Sequence, residues 1–377
     1  MTRPQDGCFI GLMSGTSTDG VDGVLARLSP AAGARAAPDP SFSIRTLASV
    51  SLPLPDALRH ELLALNVPGA DELARAAAAA NALADRYADA VEALLARAGL
   101  RAADVQAIGA HGQTVRHAPE SGYTVQINAP ARLAERTGIA VVADFRSRDV
   151  AAGGQGAPLV PAFHAACFGQ GAGRVILNLG GIANLTLLDE TVRGFDTGPA
   201  NMLMDAWIQR HRGEPYDRDG AWAAEGRCDP ALLDVLLSES WLRQPPPKST
   251  GRDLFNLDWL QSRIDALPVP PEPANVQATL LRFSVETIAQ AIARHAPHAR
   301  EVLACGGGAL NGSFMRGLAD ALPCPLATTD RLGVPVQSVE ALAFAWLAQA
   351  HLAGRAACLP AVTGARHATI AGCLYPA

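Results

Sequence analysis

Gly11-Leu-Met-Ser-Gly15-Thr-Ser-Thr-Asp-Gly20-Val-Asp22 is entered from the apolar run Cys8-Phe-Ile10 and leads into a second one, Val21 to Leu28. Strand, small-residue turn and strand in that order are the signature of a β-hairpin. The middle of the chain repeats the plan. Arg174-Val-Ile-Leu-Asn178 runs into Leu179-Gly-Gly-Ile-Ala183 and then into Asn184-Leu-Thr-Leu-Leu188. The likeness is of pattern, not of sequence. Two such hairpins about half a chain apart predict two related α/β halves.

Outward from the hairpins, strands alternate with helices. Asp71 to Ala98 reads as one long helix, with Leu73, Leu83, Tyr87, Val91 and Leu94 at helical spacing and Gly99 as its left-handed stop. Val105 to Ala110 and Ile139 to Ala143 read as buried strands, Pro199 to Arg210 as a helix with proline in its first turn. Asn275 to Ala296, Asn311 to Leu322 and Val339 to His351 follow as helices, with the strand Glu301 to Cys305 leading into Gly306-Gly-Gly308. This alternation predicts mainly parallel, helix-covered sheets. A chain of 377 residues exceeds the size of a single core, so two domains are expected, 1–140 and 141–377, with the last helix packing back onto the first.

Bulk properties exclude several classes. A net charge of −5, without a basic run, gives nucleic acid or an anionic membrane little to hold. No stretch approaches the roughly 20 apolar residues of a membrane span. The seven cysteines are scattered and odd in number, which suits reduced thiols in a cytoplasm better than a disulfide framework or a zinc site.

Three glycine turns follow apolar strands, and each can bring bare backbone close to a ligand. In the first, consecutive N–H groups of Gly15 to Asp22 form a concavity suited to an anion, with hydroxyls from Thr16, Ser17 and Thr18. Asp19 and Asp22 add carboxylates suited to magnesium. It is neither a Walker A loop nor a dinucleotide fingerprint; by itself it also reads as a tight hairpin with polar decoration. Gly180 and Gly181 sit at the matching place in the second half, and a glycine bulge is the plain reading there. Gly306, Gly307 and Gly308 suit a flat adenosine, or simply a strand-to-helix turn. Together the three favour a nucleotide clamped between the halves.

Gly194-Phe-Asp196-Thr-Gly-Pro-Ala-Asn201 puts a carboxylate where a strand gives way to a helix, the end that faces a ligand crevice in open α/β sheets. Asp196 there suits a general base beside a transferring phosphoryl group, with the helix N-terminus aimed into the same space; it equally suits a helix cap. His111, Gln113 and Arg146 are polar residues at strand ends, and Glu340 lies in the otherwise apolar Ala341-Leu-Ala-Phe-Ala-Trp346 helix. Arg148 with Asp149 reads as a surface ion pair, Lys248 as part of a solvated loop, and Asp205 as an ordinary helical surface or interface residue.

At these residues the chain resembles the anhydro-N-acetylmuramic acid kinases. The resemblance runs in order through the Gly11–Asp22 motif, Ile108-Gly-Ala-His-Gly-Gln-Thr114, Asp144-Phe-Arg146 and Gly153-Gly-Gln-Gly-Ala-Pro-Leu-Val-Pro161. It continues through Asn178–Asn184, Phe195–Trp207, Pro247-Lys-Ser-Thr-Gly-Arg252, Cys305–Gly308 and Glu340–Ala345, which is essentially the whole chain. It implies a two-domain actin-like (ribonuclease H-like) sugar kinase fold with ATP in a cleft between domains. It also implies a cytoplasmic homodimer that opens 1,6-anhydro-N-acetylmuramic acid with water and phosphorylates the freed 6-oxygen, using ATP and Mg2+, in cell-wall recycling. By the same resemblance Asp196 is the catalytic base, Gly15, Thr16, Ser17, Thr18, Asp19, Gly20, Val21 and Asp22 form the ATP-phosphate loop with Asp19 towards the metal, and Glu340 stands at the sugar site. Thr18 and Ala200 stand where the family often has Leu and Gly, and Ala200 is expected to narrow the crevice slightly.

Residue chemistry alone leaves rivals open. An ordinary sugar kinase would transfer phosphate to a free hydroxyl without opening a ring. An actin-like or chaperone-like ATP switch is disfavoured by Asp196 and by the lack of a peptide-binding domain. A kinase-fold transcription regulator would need a helix-turn-helix, and none precedes residue 8.

Overall fold

A computed structural model describes residues 6–15, 18–30, 42–171 and 173–377. In chain order the elements of the first segment are β1 (Gly7–Met13), β2 (Gly20–Pro30), β3 (Phe42–Pro53), α1 (Asp56–Ala64), α2 (Glu72–Ala98), β4 (Val105–Ala110), β5 (Gln113–Ala118), β6 (Tyr123–Ile127), α3 (Pro130–Thr137), β7 (Val141–Ala143), α4 (Ser147–Ala151) and α5 (Val160–Phe168). Next come β8 (Arg174–Leu179), β9 (Ile182–Leu188), β10 (Val192–Pro199), α6 (Asn201–Arg212), α7 (Ala221–Glu225), α8 (Pro230–Leu237), α9 (Leu257–Asp265), α10 (Pro273–His295), β11 (Glu301–Cys305), α11 (Gly312–Ala321) and β12 (Leu326–Thr328). The chain closes with α12 (Val339–Leu352), α13 (Pro360–Thr363) and β13 (Cys373–Tyr375).

The chain divides into two compact units. One comprises Met1–Gln170 with Ser338–Ala377, the other Gly171–Gln337. The first unit's main sheet has the order β13-β7-β4-β1-β2-β3; the second unit's has β10-β9-β8-β11-β12. In both, the first strand pairs antiparallel with the second and the second with the third. In both, the first strand also pairs parallel with the fourth and the fourth with the fifth. Thus β3-β2-β1-β4-β7 matches β10-β9-β8-β11-β12 strand for strand. This is the ribonuclease H-like plan, present twice, as the two hairpins foretold.

Parallel neighbours need long crossovers, and these carry the helices. In the first unit α2 lies on β2 and β3 and buries Leu83, Tyr87, Val91 and Leu94 at successive turns. It ends at Gly99 with φ 65°, the left-handed stop. Leu73 departs from the expected stripe: it is 89% exposed. In the second unit α10 buries Phe283, Ile288 and Ile292 in a core shared with Leu177, Leu185 and Trp207. Each such buried side chain contributes about 1.5–3 kcal/mol.

Helix α12 packs on β1 and β4 of the first unit. A Cβ on Gly109 would stand 2.0 Å from the Phe344 carbonyl oxygen, so helix and strand meet backbone to backbone. That close approach requires glycine and sets where Glu340, in the first turn of α12, emerges.

Candidate active site

The β1–β2 hairpin pairs Met13 with Asp22. Thr16 and Ser17 lie outside the described residues. Thr18 is buried with φ 52°, and its N–H donates to the Gly15 carbonyl at 3.1 Å. The Ser14 hydroxyl donates to Gln113 Oε1 at 2.5 Å, tying the turn to β5. Asp19 is exposed; Val21 turns its side chain into the core. Asp22 is solvent-accessible but crowded: burial raises its carboxyl, Asp19 adds to the rise, and the Ser51 hydroxyl opposes it.

His111, at the end of β4, is buried, and burial with the nearby Arg146 charge lowers its pKa to about 3. Its ring is therefore neutral. Nε2 accepts from Arg146 Nη2 at 2.8 Å and Nε at 3.2 Å, which leaves the ring proton on Nδ1. Arg146 Nη1 donates to the Gly156 carbonyl at 2.7 Å. Burial lowers the guanidinium to about 10, while Glu340 raises it. Glu340 is accessible to solvent, yet surrounding protein raises its carboxyl, as does Asp22, against Arg146. The first unit thus gathers His111, Arg146, Glu340, Asp22 and Gln113 at the ends of β1, β4, β7 and α12.

Asp149 is no surface ion pair. It is fully buried and accepts the Gly156 N–H at 2.7 Å and the Thr363 hydroxyl at 2.8 Å. It therefore pins the segment whose carbonyl holds Arg146.

In the second unit the β8–β9 turn carries Gly180 and Gly181. Their carbonyls accept from the N–H groups of Asn201, Ala200 and Met202 at 2.9–3.1 Å, and Asn201 Nδ2 donates to the Gly180 carbonyl at 2.8 Å. The N-terminus of α6 is therefore capped by this turn and is not aimed at open space, contrary to the expectation from sequence. A Cβ on Gly306, where φ is 84°, would stand 2.5 Å from Asn178 Oδ1, and one on Gly308 would stand 2.8 Å from Leu179 Cβ. Those two glycines serve packing on the turn. Gly307 alone faces open space.

Asp196 lies within β10, not at its end. The register shifts between Asp196 and Gly198, a bulge that delays the helix so that Pro199 closes the strand. The Asp196 N–H donates to the Lys248 carbonyl at 3.1 Å, and Oδ2 accepts from the Thr250 N–H at 3.0 Å. Burial raises the carboxyl to about 6, against the Thr250 hydrogen bond and the Lys248 charge. Asp205 is half-buried, and its carboxyl is raised to about 7 by burial and by Asp217, with Arg252 opposing. Ala200 is wholly buried in the second unit's core, where its methyl narrows no crevice.

Residues 7–377 match the family model for anhydro-N-acetylmuramic acid kinase. A curated protein of that name from Bordetella parapertussis is 62% identical over 373 residues, covering 98% of this chain and 96% of that protein. One from Chromobacterium violaceum is 53% identical, covering 98% and 99%. Among solved structures, a xylulose kinase from Rhodospirillum rubrum aligns at TM-score 0.43 with 14% identity, over 91% of this chain and 89% of that one. That likeness is too slight to bear on function. The chain belongs to the anhydro-N-acetylmuramic acid kinase family.

Proposed function

We propose that the protein converts 1,6-anhydro-N-acetylmuramic acid, water and ATP into N-acetylmuramic acid 6-phosphate and ADP, with Asp196 as the base. The observation that carries this is Asp196 itself: a carboxyl titrating near 6, with one oxygen held by Thr250 and the other without a hydrogen bond among the described residues. A base of that strength is ionised at neutral pH and still takes a proton readily. Asp196 removes a proton from water as the water oxygen bonds to the anomeric carbon. The bond from that carbon to the bridging 6-oxygen breaks, and the 6-oxygen attacks the γ-phosphorus as the bond to ADP breaks.

Gly15 to Asp22 and the Gly180-Gly181 turn supply N–H groups for the phosphates, and Gly307 an open backbone face for adenosine. His111, Gln113, Arg146 and Glu340 bind the sugar. The neutral ring of His111 is oriented by Arg146, while Glu340 accepts from a sugar hydroxyl. Asp19 and Asp22 fit Mg2+: two neighbouring carboxylates repel, and a divalent cation relieves that. No group of three acidic, histidine or cysteine residues gathers among the described residues, so phosphates and water would complete the coordination. Magnesium bound there would supply neutralisation of phosphate charge. None of the seven cysteines forms a disulfide, in keeping with a reducing cytoplasm, and we read the protein as a homodimer there.

Incubation with ATP, magnesium and the anhydro sugar in oxygen-18 water tests this. A phosphorylated product with one solvent oxygen, absent with Asp196→Asn, is expected. Phosphorylation without incorporated solvent oxygen would overturn ring opening by water. An active Asp196→Asn would displace Asp196 as the base.

A further inference from the structure

The loop Pro246–Arg252 runs beside β10, and its backbone supplies both hydrogen bonds made by Asp196. The carbonyl of Lys248 takes the Asp196 N–H, and the N–H of Thr250 is given to Oδ2. Something must hold that loop. The Lys248 ammonium donates to the carbonyls of Leu242 at 2.9 Å and Trp241 at 3.3 Å. The same nitrogen sits 4.2 Å above the Trp241 ring, and the Trp241 indole N–H donates to the Ser249 carbonyl at 3.2 Å. Trp241 is itself buried and set edge-on to Phe255. The ammonium therefore joins the loop to the buried Trp241.

We infer that Lys248 is a positioning residue for Asp196: its ammonium pins residues 248–250 so that Thr250 occupies Oδ2, and Oδ1 is the oxygen that takes the proton. This rests on the reading of Asp196 as base. Lys248 touches no reacting atom in this account; it acts through the loop and through its charge.

The charge has its own signature. Lys248 faces Asp196 from β10, and Arg294 and His295 from α10, with Arg193 bearing on His295. Burial, then Arg294, lowers the ammonium to about 8, and Asp196 opposes the fall. The loop is therefore clamped by a cation at pH 7 and loses that cation as pH rises through about 8. A Trp241 face attracts the ammonium and not the neutral amine.

The test is the pH dependence of kcat for wild type, Lys248→Met and Lys248→Arg, with carbon-13 NMR of the Asp196 carboxyl in each. Wild type is expected to show an acid limb near 6 and an alkaline limb near 8. Lys248→Met is expected to lose the alkaline limb, to raise the Asp196 titration by a few tenths of a unit or more, and to lower kcat about tenfold with KM little changed. Lys248→Arg, which stays charged, is expected to keep the acid limb and push the alkaline one beyond the accessible range. If both limbs and the carboxyl titration stay put in Lys248→Met, the inference is overturned, as it is by a uniform loss of rate at every pH. A fully active Asp196→Asn would instead overturn the parent reading; the NMR titration would still decide whether Lys248 governs this carboxyl.

Discussion

Gly11 and Ala341 are in backbone contact: a Cβ on Gly11 would stand 1.8 Å from the Ala341 carbonyl oxygen. Together with Gly109 and Phe344, this fixes α12 directly on two central strands. Backbone cannot yield as the end of a side chain does. Gly11→Ala and Gly109→Ala are each expected to lower stability by about 1–3 kcal/mol or more. Because Glu340 lies one residue from Ala341, KM for the sugar should rise as well. Urea unfolding midpoints and steady-state kinetics check both; a Gly109→Ala protein with a wild-type midpoint would show that α12 is not seated as described.

Asp196 costs the fold stability. Its pKa is raised from 3.8 to about 6, so the folded state holds the proton more tightly than the unfolded one. Stability from this group is present below pH 4 and is lost as pH rises through about 6. A shift of that size corresponds to about 2–3 kcal/mol. Asp196→Asn, which still accepts from Thr250, should therefore be inactive by about 10²–10⁴-fold and more stable at pH 7.5. Thermal unfolding of the two proteins at pH 4 and pH 7.5 checks the sign: the gain should appear only at the higher pH.

Asp149 accepts two hydrogen bonds with no exposed surface. Asp149→Ala leaves the Gly156 N–H unsatisfied, at about 1–3 kcal/mol, and leaves the Thr363 hydroxyl only the longer bond to the Leu359 carbonyl at 3.3 Å. Thr363→Val removes one bond and should lose less. Both variants should weaken sugar binding through Arg146, whose anchor is the Gly156 carbonyl; calorimetric titration with the sugar would register this, and unchanged affinity would count against the relay.

Asp19 and Asp22 repel, and a divalent cation answers that repulsion. Asp19→Asn is expected to raise the magnesium concentration for half-maximal rate about tenfold, with less effect at saturation. An unchanged magnesium dependence would remove Asp19 from the metal site.

The hairpins were legible because their apolar runs and small-residue turns are local signals. So was α2, whose stop needs nothing beyond Gly99. The doubled topology followed from them. What stayed hidden depends on packing that local sequence signals do not carry. Asp149 looks like a surface acid beside Arg148 until Thr363, far along the sequence, covers it. Lys248 looks solvated until Trp241 lies under it. Pro199 reads as a helix start, and the bulge after Asp196 makes it a strand end. At Gly306 and Gly308, Asn178 and Leu179 fill the space where side chains would go, a packing demand with no local signal. The signal for Asp196 was its place between strand and helix; its partner loop gave none.

Helix α12 comes from the end of the chain, and it covers strands made at the beginning. During synthesis the whole of residues 171–337, which holds all of its own core, leaves the ribosome before α12 does. Until residue 352 follows, β1 and β4 lack the helix that lies on them. The second unit is thus an insertion that matures inside an unfinished host. A transcript cut short after residue 337 would yield one finished half and one exposed sheet, a natural substrate for chaperones and proteases.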